Sequence, residues 1–163
     1  EKVALSSAVV QNPNLVTEAA ERVGSQSIVV VMDIKKIGAG RDYELHTHNG
    51  SKATGLRPEV FARRMEDLGA GEIVINSIDR DGVMRGYDLD LVALVREATT
   101  LPLSVLGGAG SLKDIAALIQ SFGIIGAAAG SLFVFKGVYR AVLINYPKRA
   151  DKDLLIAQAR QTL

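Results

Sequence analysis

A chain of 163 residues with 48% hydrophobic and 23% charged residues and a formal net charge of +1 has enough apolar material for one domain core, and it excludes both disorder and a nucleic-acid footprint. Cysteine is absent, which removes disulfides, thiol nucleophiles and thiolate metal sites and fits a reducing compartment. No apolar stretch reaches membrane-spanning length before a glycine, serine or lysine interrupts it, and the start carries no signal-peptide pattern, so the expectation is a cytoplasmic protein without a membrane segment.

In chain order, residues 2–7 read as a strand entering a loop, so the opening looks like mid-domain sequence. Asn12 and Pro13 supply a cap and a first-turn proline for a helix with Leu15, Val16, Ala19, Ala20 and Val23 on one face, closing at Gly24. Residues 28–32 form an apolar run too short for a helix, hence a buried strand, and Asp33 ends it. The polar segment 35–55, with Tyr43, Leu45 and Thr47 alternating, is either a loop or a small hairpin. Residues 58–68 are helical by the spacing of Val60, Phe61, Met65 and Leu68. A strand over 72–77 then delivers Asp79-Arg80-Asp81-Gly82, and a helix capped near Asp88 carries Leu91, Val92, Leu94 and Val95.

A strand over 101–106 runs into Gly107-Gly108-Ala109-Gly110, and Ser111 with Asp114 makes a capping-box start for the next helix. The last clear strand covers 124–129 and ends in Gly130-Ser131, with 132–135 as a short extra helix. Strand and helix alternate throughout, and crossovers of this length demand parallel strands. Five such strands suit an open doubly wound sheet or part of a (β/α)8 barrel, and the acidic, glycine-rich strand ends favour the barrel. Five strands leave it open, so the chain is expected to pair with another copy, recover a missing segment or aggregate. The expected division is a partial barrel over 1–147 and a helix-forming tail over 148–163 that docks or projects.

The glycine loop at 107–110 and the Gly130-Ser131 end each offer bare backbone amides at the start of a helix, where an anion binds; tight turns with no ligand are the plainer alternative for either alone. Asp33 and Asp81 close different strands and in a barrel meet at one mouth, where paired carboxylates divide acid and base roles; each alternatively caps a helix or pairs with Arg80 or Lys35. His46 and His48 lack further ligands at matching spacing and read as solvated loop residues, so no metal and no cofactor are expected. Phe133 and Phe135 read as packing or as a border to the ligand.

Gly69-Ala70-Gly71-Glu72-Ile73, then Ser77-Ile78-Asp79-Arg80-Asp81-Gly82, Gly86-Tyr87-Asp88, Thr99-Thr100-Leu101-Pro102 and Gly107 to Gly110 together resemble the HisF family, the cyclase subunit of imidazole glycerol phosphate synthase. The resemblance covers about residues 1–147 and implies a (β/α)8 TIM barrel from about its fourth strand to its eighth. It implies a cytoplasmic lyase of histidine biosynthesis. Ammonia from a glutamine amidotransferase partner converts a phosphoribosylated aminoimidazole carboxamide intermediate into imidazole glycerol phosphate and the carboxamide ribotide. By the same resemblance Asp33 is a catalytic aspartate, and the other lies on the family's first strand. Asp81, Gly82, Asn76 and Gly50 contact substrate. Gly107, Gly108, Ala109, Gly110, Gly130 and Ser131 hold one phosphate, and Ser6 and Ser7 stand where the family's Asn-Thr holds the other. Lys2 and Glu72 belong to a charged ring where ammonia enters. Val83-Met84 replaces the family's Thr-Lys type pair, and residues 130–135 with 140–147 look closer to paralogues of surface-polysaccharide gene sets. Those relatives imply an alternative, an ammonia-channelling subunit of a sugar amidotransferase; a second alternative is a non-catalytic phosphate-binding half barrel.

Overall fold

The computed structural model describes residues 1–160, and the last three residues of the tail lie outside them. Its strands and helices run β1 (Val3–Leu5), α1 (Ser7–Gln11), α2 (Leu15–Val23), β2 (Ile28–Lys36), β3 (Tyr43–Thr47), β4 (Lys52–Ala53), α3 (Pro58–Asp67), β5 (Glu72–Ser77), α4 (Leu89–Arg96), β6 (Leu103–Leu106), α5 (Leu112–Phe122), β7 (Gly126–Ala127), α6 (Ser131–Val134), β8 (Phe135–Lys136), β9 (Ala141–Val142) and α7 (Arg149–Arg160). The parallel strands pair as β1–β2–β5–β6–β7, each beside the next in sequence. A doubly wound sheet reverses its order at a switch point, and this one does not, so the architecture is a barrel wall that stays open.

Side-chain alternation sorts the wall into two faces. Ile28, Val30, Met32, Ile34, Ile73, Ile75, Leu103 and Val105 are buried in one cluster with Val9, Val16, Phe61, Met65, Leu91, Val92, Val95 and Leu118 of the helices. Val31, Asp33, Glu72, Val74, Asn76, Ser104 and Leu106 alternate with them and stay half-buried on the other face. Helices thus cover a single side, and the opposite side is the would-be barrel interior.

Several boundaries differ from the sequence reading for physical reasons. β2 runs on to Lys36 because the 35–55 segment is indeed a hairpin, pairing antiparallel with β2 from Asp33↔His46 to Lys36↔Tyr43. Asp33 therefore sits within a strand, at the carboxyl edge of the parallel ladder, instead of closing it. The hairpin tip turns on three consecutive left-handed residues, His48, Asn49 and Gly50, types that tolerate this conformation better than most. β6 begins only after Pro102, which has no amide to give a ladder. β7 shrinks to two residues because it has a partner on one side only, and Ile124 is left 93% exposed. The short α1 has no counterpart in the sequence reading, and the tail helix α7 packs on α5.

Polar links then lock helices to strands. The capping box is formed as expected, with Ser111 Oγ accepting from Asp114 N and the Asp114 carboxylate accepting from Ser111 N at 2.8 Å. Glu66 of α3 accepts from the Thr99 hydroxyl at 2.7 Å and from Thr100, which explains the threonine pair structurally. Burial pushes the Glu66 carboxyl up, but the bonds from Thr100 and Thr99 outweigh it and hold it below the ordinary carboxylate value. Asp88, 7% exposed, caps α4 through Leu91 N at 3.2 Å and accepts the Tyr43 hydroxyl at 3.0 Å. Burial and the Asp88 carboxylate together drive the Tyr43 phenol far above its usual range.

Removing the Asp88 carboxylate uncaps α4 and strands the Tyr43 hydroxyl. Asp88→Ala is expected to cost about 2–4 kcal/mol in denaturant unfolding and Tyr43→Phe only about 1 kcal/mol.

Candidate functional site

Two clusters of polar groups lie along the carboxyl edge of the sheet. The first centres on Asp33. Register places it level with Asn76 of β5 and His46 of β3, and Asn76 with Leu106 of β6. Asn76 Nδ2 donates to Asp33 Oδ1 at 2.7 Å, and the Ser6 hydroxyl reaches Asp33 Oδ2 at 3.5 Å. Ser7 Oγ accepts from His48 N at 3.2 Å, joining α1 to the hairpin tip. Ser6, Ser7, Asp33, Asn76 and Gly50 are thus gathered around the start of α1 and the hairpin.

His46 corrects its sequence assignment. It lies in β3, 9% exposed, with Nδ1 3.0 Å from the Gly50 carbonyl oxygen and Nε2 buried without a partner among the described residues, as Asn76 Oδ1 also is. The signal was available: if Tyr43, Leu45 and Thr47 alternate in a strand, His46 must share the face of the residue opposite it, which is Asp33. His48 is exposed, as expected.

The second cluster is built by the Asp79-Arg80-Asp81 turn and the glycine loops. The three charges have separate employments. Asp79 Oδ2 accepts from Lys36 N at 2.7 Å, fastening the turn to β2. Arg80 lies 3.6 Å from Asp88 and donates to the Gly86 carbonyl at 3.2 Å. Among the described residues, the Asp81 carboxylate has no hydrogen-bond or ion-pair partner, while its amide donates to Ile78 O at 3.2 Å. Its neighbourhood is a small pocket lined by Asp81, Gly82, Met84, Leu106, Gly107, Gly108, Ala109, Ala129, Gly130 and Ser131. Asp33 is outside that pocket, so the two acids share an edge but not a single hollow.

The glycines in this pocket do different things. Gly86 N donates to Gly108 O at 2.8 Å, and a Cβ on Gly108, whose φ is 111°, would strike the Gly86 carbonyl. A Cβ on Gly107 would stand 2.5 Å from Ser77 O, and one on Gly110 would collide with Met84 O. Close backbone packing therefore accounts for these three. Gly110 and Ser111 amides are already spent on Asp114, at 2.9 and 2.8 Å, so Gly110 is a structural member and not a free donor. Gly130 is the exception: its φ is −97° and a Cβ there would meet nothing within 4 Å. Among the described residues, the amides of Gly108, Ala109, Gly130 and Ser131 donate to no protein acceptor. Tyr87 ties the loop after β5 to the residue following β7 through a 2.8 Å bond from its hydroxyl to Ala128 O, and burial, with the Asp114 charge adding, pushes its phenol up to about 12.

Phe133 packs edge-on against Tyr146 at 4.9 Å and lines an apolar hollow with Leu112, Ile115, Leu155 and Ile156, away from the acids. At the opposite end of the inner face Lys2 pairs with Glu72, and Ser104 Oγ donates to Glu72 at 2.7 Å. Burial raises the Glu72 carboxyl, but the bonds from Lys2 and Ser104 and the Lys2 charge hold it below its ordinary value. Four residue steps along β2 separate this level from Asp33, about 13 Å of strand.

Residues 1–140 match the family of histidine biosynthesis proteins. The chain is 52% identical over 155 residues to a protein of Leptospira interrogans provisionally named imidazole glycerol phosphate synthase subunit HisF, covering 95% of this chain and 61% of that one. A similarly named protein of Vibrio vulnificus is 55% identical over 152 residues, covering 93% and 58%. The imidazole glycerol phosphate synthase subunit HisF of Petrotoga mobilis is 41% identical over 141 residues, covering 86% and 55%. The chain thus spans about three fifths of the length of the curated relatives it matches.

Alanine at Gly108 and at Gly130 separates packing from ligand access. Gly108→Ala is expected to cost about 2–4 kcal/mol of stability, and Gly130→Ala to stay within about 0.5 kcal/mol of the unsubstituted chain in denaturant unfolding.

Proposed function

Because this chain belongs to the histidine biosynthesis protein family, we propose that it forms the carboxyl-terminal part of a HisF-type cyclase barrel. In this reading it takes ammonia from a glutamine amidotransferase partner and converts the phosphoribosylated aminoimidazole carboxamide intermediate into imidazole glycerol phosphate and the carboxamide ribotide, in the cytoplasm. Residues 1–147 supply the barrel wall, and the tail helix α7 (Arg149–Arg160) packs against α5 on its outside. The observation that carries the reading is the single carboxyl edge that holds both clusters: Asp33 with Asn76, Ser6 and Ser7 at one place, and Asp81 beside the unspent amides of Gly108, Ala109, Gly130 and Ser131 at another. A substrate with a phosphate at each end has matching donors at both. Asp33, its carboxylate oriented by Asn76 beside Ser6, handles the protons; Asp81 and Gly82 border the substrate, and Gly50 closes it under the hairpin.

The inner face supports the ammonia route. Lys2 and Glu72 mark the entry end, and Val29, Val31 and Val74 line the path toward Asp33. An apolar path passes neutral ammonia and resists ammonium, whose desolvation is costly. The same path serves the second reading, an ammonia-channelling subunit for amidation of a sugar. Val83 and Met84 favour it, since they leave the phosphate pocket without the hydroxyl and cation of the family pattern.

Turnover of the phosphoribosylated aminoimidazole carboxamide intermediate separates the two. The 163-residue chain alone is expected to give none, because by resemblance the other catalytic aspartate belongs to the family's first strand. Combined with an amino-terminal segment from a relative, it is expected to turn over, and Asp33→Asn then lowers kcat by about 100-fold or more. A combined barrel that rescues no cyclase-deficient histidine auxotroph, or an Asp33→Asn barrel at full rate, removes the cyclase reading.

An open wall also implies self-association. β1 and β7 each have one free side, and Val3 is 50% exposed on the helix face. Light scattering on the isolated chain is expected to show a mass that rises with concentration; a steady monomer contradicts it.

A further inference from the structure

The pocket between the glycine loops is short of positive charge. Asp81 is the one charged residue in its lining, so an anion entering it meets a carboxylate and backbone dipoles but no cation. Val83 and Met84 supply none, and Arg80 is committed to Asp88 and Gly86. Arg85 and Lys113, nearby in sequence, make no bond to any lining residue among those described.

Arg140 does make one. It ends the turn between β8 and β9, where its amide donates to Gly137 O at 3.1 Å, and its φ of 48° is left-handed, a conformation a non-glycine residue rarely holds without a reason. That turn swings the side chain back across the molecule, and Nη2 donates to the Gly82 carbonyl at 3.3 Å, at the rim of the pocket. The hairpin is itself tied to the helix that starts the pocket's far wall, through Leu143 N to Val134 O at 2.8 Å and Asn145 N to Phe133 O at 2.7 Å. Among the described residues no carboxylate lies within ion-pair reach of Arg140, so four of the five N–H donors of its guanidinium are unspent.

We propose that Arg140 is the cationic ligand of a phosphate monoester held between Gly108 and Ser131, its guanidinium turning from the Gly82 carbonyl onto the phosphate oxygens. The inference deepens the reading of this pocket as a phosphate site and rests on it. An arginine delivered by the β8–β9 hairpin takes the place of the cation that Val83 and Met84 do not supply, and the planar fork suits two phosphate oxygens at once.

Calorimetric titration of the 163-residue chain with inorganic phosphate and with ribose 5-phosphate tests it. Arg140→Ala is expected to weaken both by about tenfold or more and to flatten the dependence on salt, Arg140→Lys to recover part of the loss, and Arg85→Ala to stay within about twofold. If the unsubstituted chain binds and Arg140→Ala binds equally well, the proposal falls while the phosphate reading stands. If Arg140→Ala lowers the unfolding midpoint and Arg140→Lys recovers no affinity, Arg140 is a structural prop and the proposal falls. If the unsubstituted chain binds neither probe, the pocket reading falls and takes the proposal with it.

Discussion

The Asp88 carboxylate is the knot from which the candidate site hangs. It is almost wholly buried, and such a charge persists only when donors surround it. Tyr43 reaches it from the hairpin, Leu91 N from the first turn of α4, and Arg80 from the acidic turn after β5. Arg80 continues the chain of contacts to the Gly86 carbonyl, and Gly86 N passes it to Gly108 O. Hairpin, helix start, acidic turn and glycine loop are thereby held in one mutual geometry, and Asp81 is left at the surface of that assembly with its carboxylate unclaimed. The bonds from Tyr43, Leu91 N and Arg80 offset the cost of burying Asp88 and order these four elements together.

The sheet supplies the other half of the arrangement. Parallel strands in sequential order bring residues of equal register to one level, so a one-sided helix layer leaves a graded inner face. Lys2, Glu72 and Ser104 are charged and polar at the amino end, valines fill the middle, and Asp33 and Asn76 stand at the carboxyl end. The gradient follows from alternation: every second residue of β2 and β5 is spent on the helix-side core, and only the remainder is free to specialise.

Much of this was legible in the sequence where the physics is local. The strand over 72–77 and the helices at 58–68 and after Asp88 appear within a residue or so of where periodicity and caps put them, and the Ser111/Asp114 box forms as drawn. Of the residues lining the pocket, Gly107, Gly108, Ala109, Gly130 and Ser131 follow from loop composition, Asp81 from its place after a strand and Gly82 from the family resemblance. What was illegible depends on partners distant in sequence. β2 overruns Asp33 because β3 pairs with it, β7 falls short because one side has no neighbour, and His46 is buried because its strand lies beside Asp33. Arg140 opens the 140–147 segment that marks a resemblance to paralogues, but nothing in its sequence points to the pocket; only the turn at Gly137 brings it to Gly82.

The division has a common physical cause. Residue order alone determined the alternation of strand and helix, the helix caps and the presence of acids and glycines at strand ends, since each depends on neighbours a few positions away, and the length of the crossovers determined the parallel sense of the strands. Tertiary structure alone decided which acid stays free, which glycine amides are spent on Asp114 and which face of the wall is open. Those outcomes are competitions for hydrogen-bond partners, and a competition is settled only when the folded chain has brought every contender within reach.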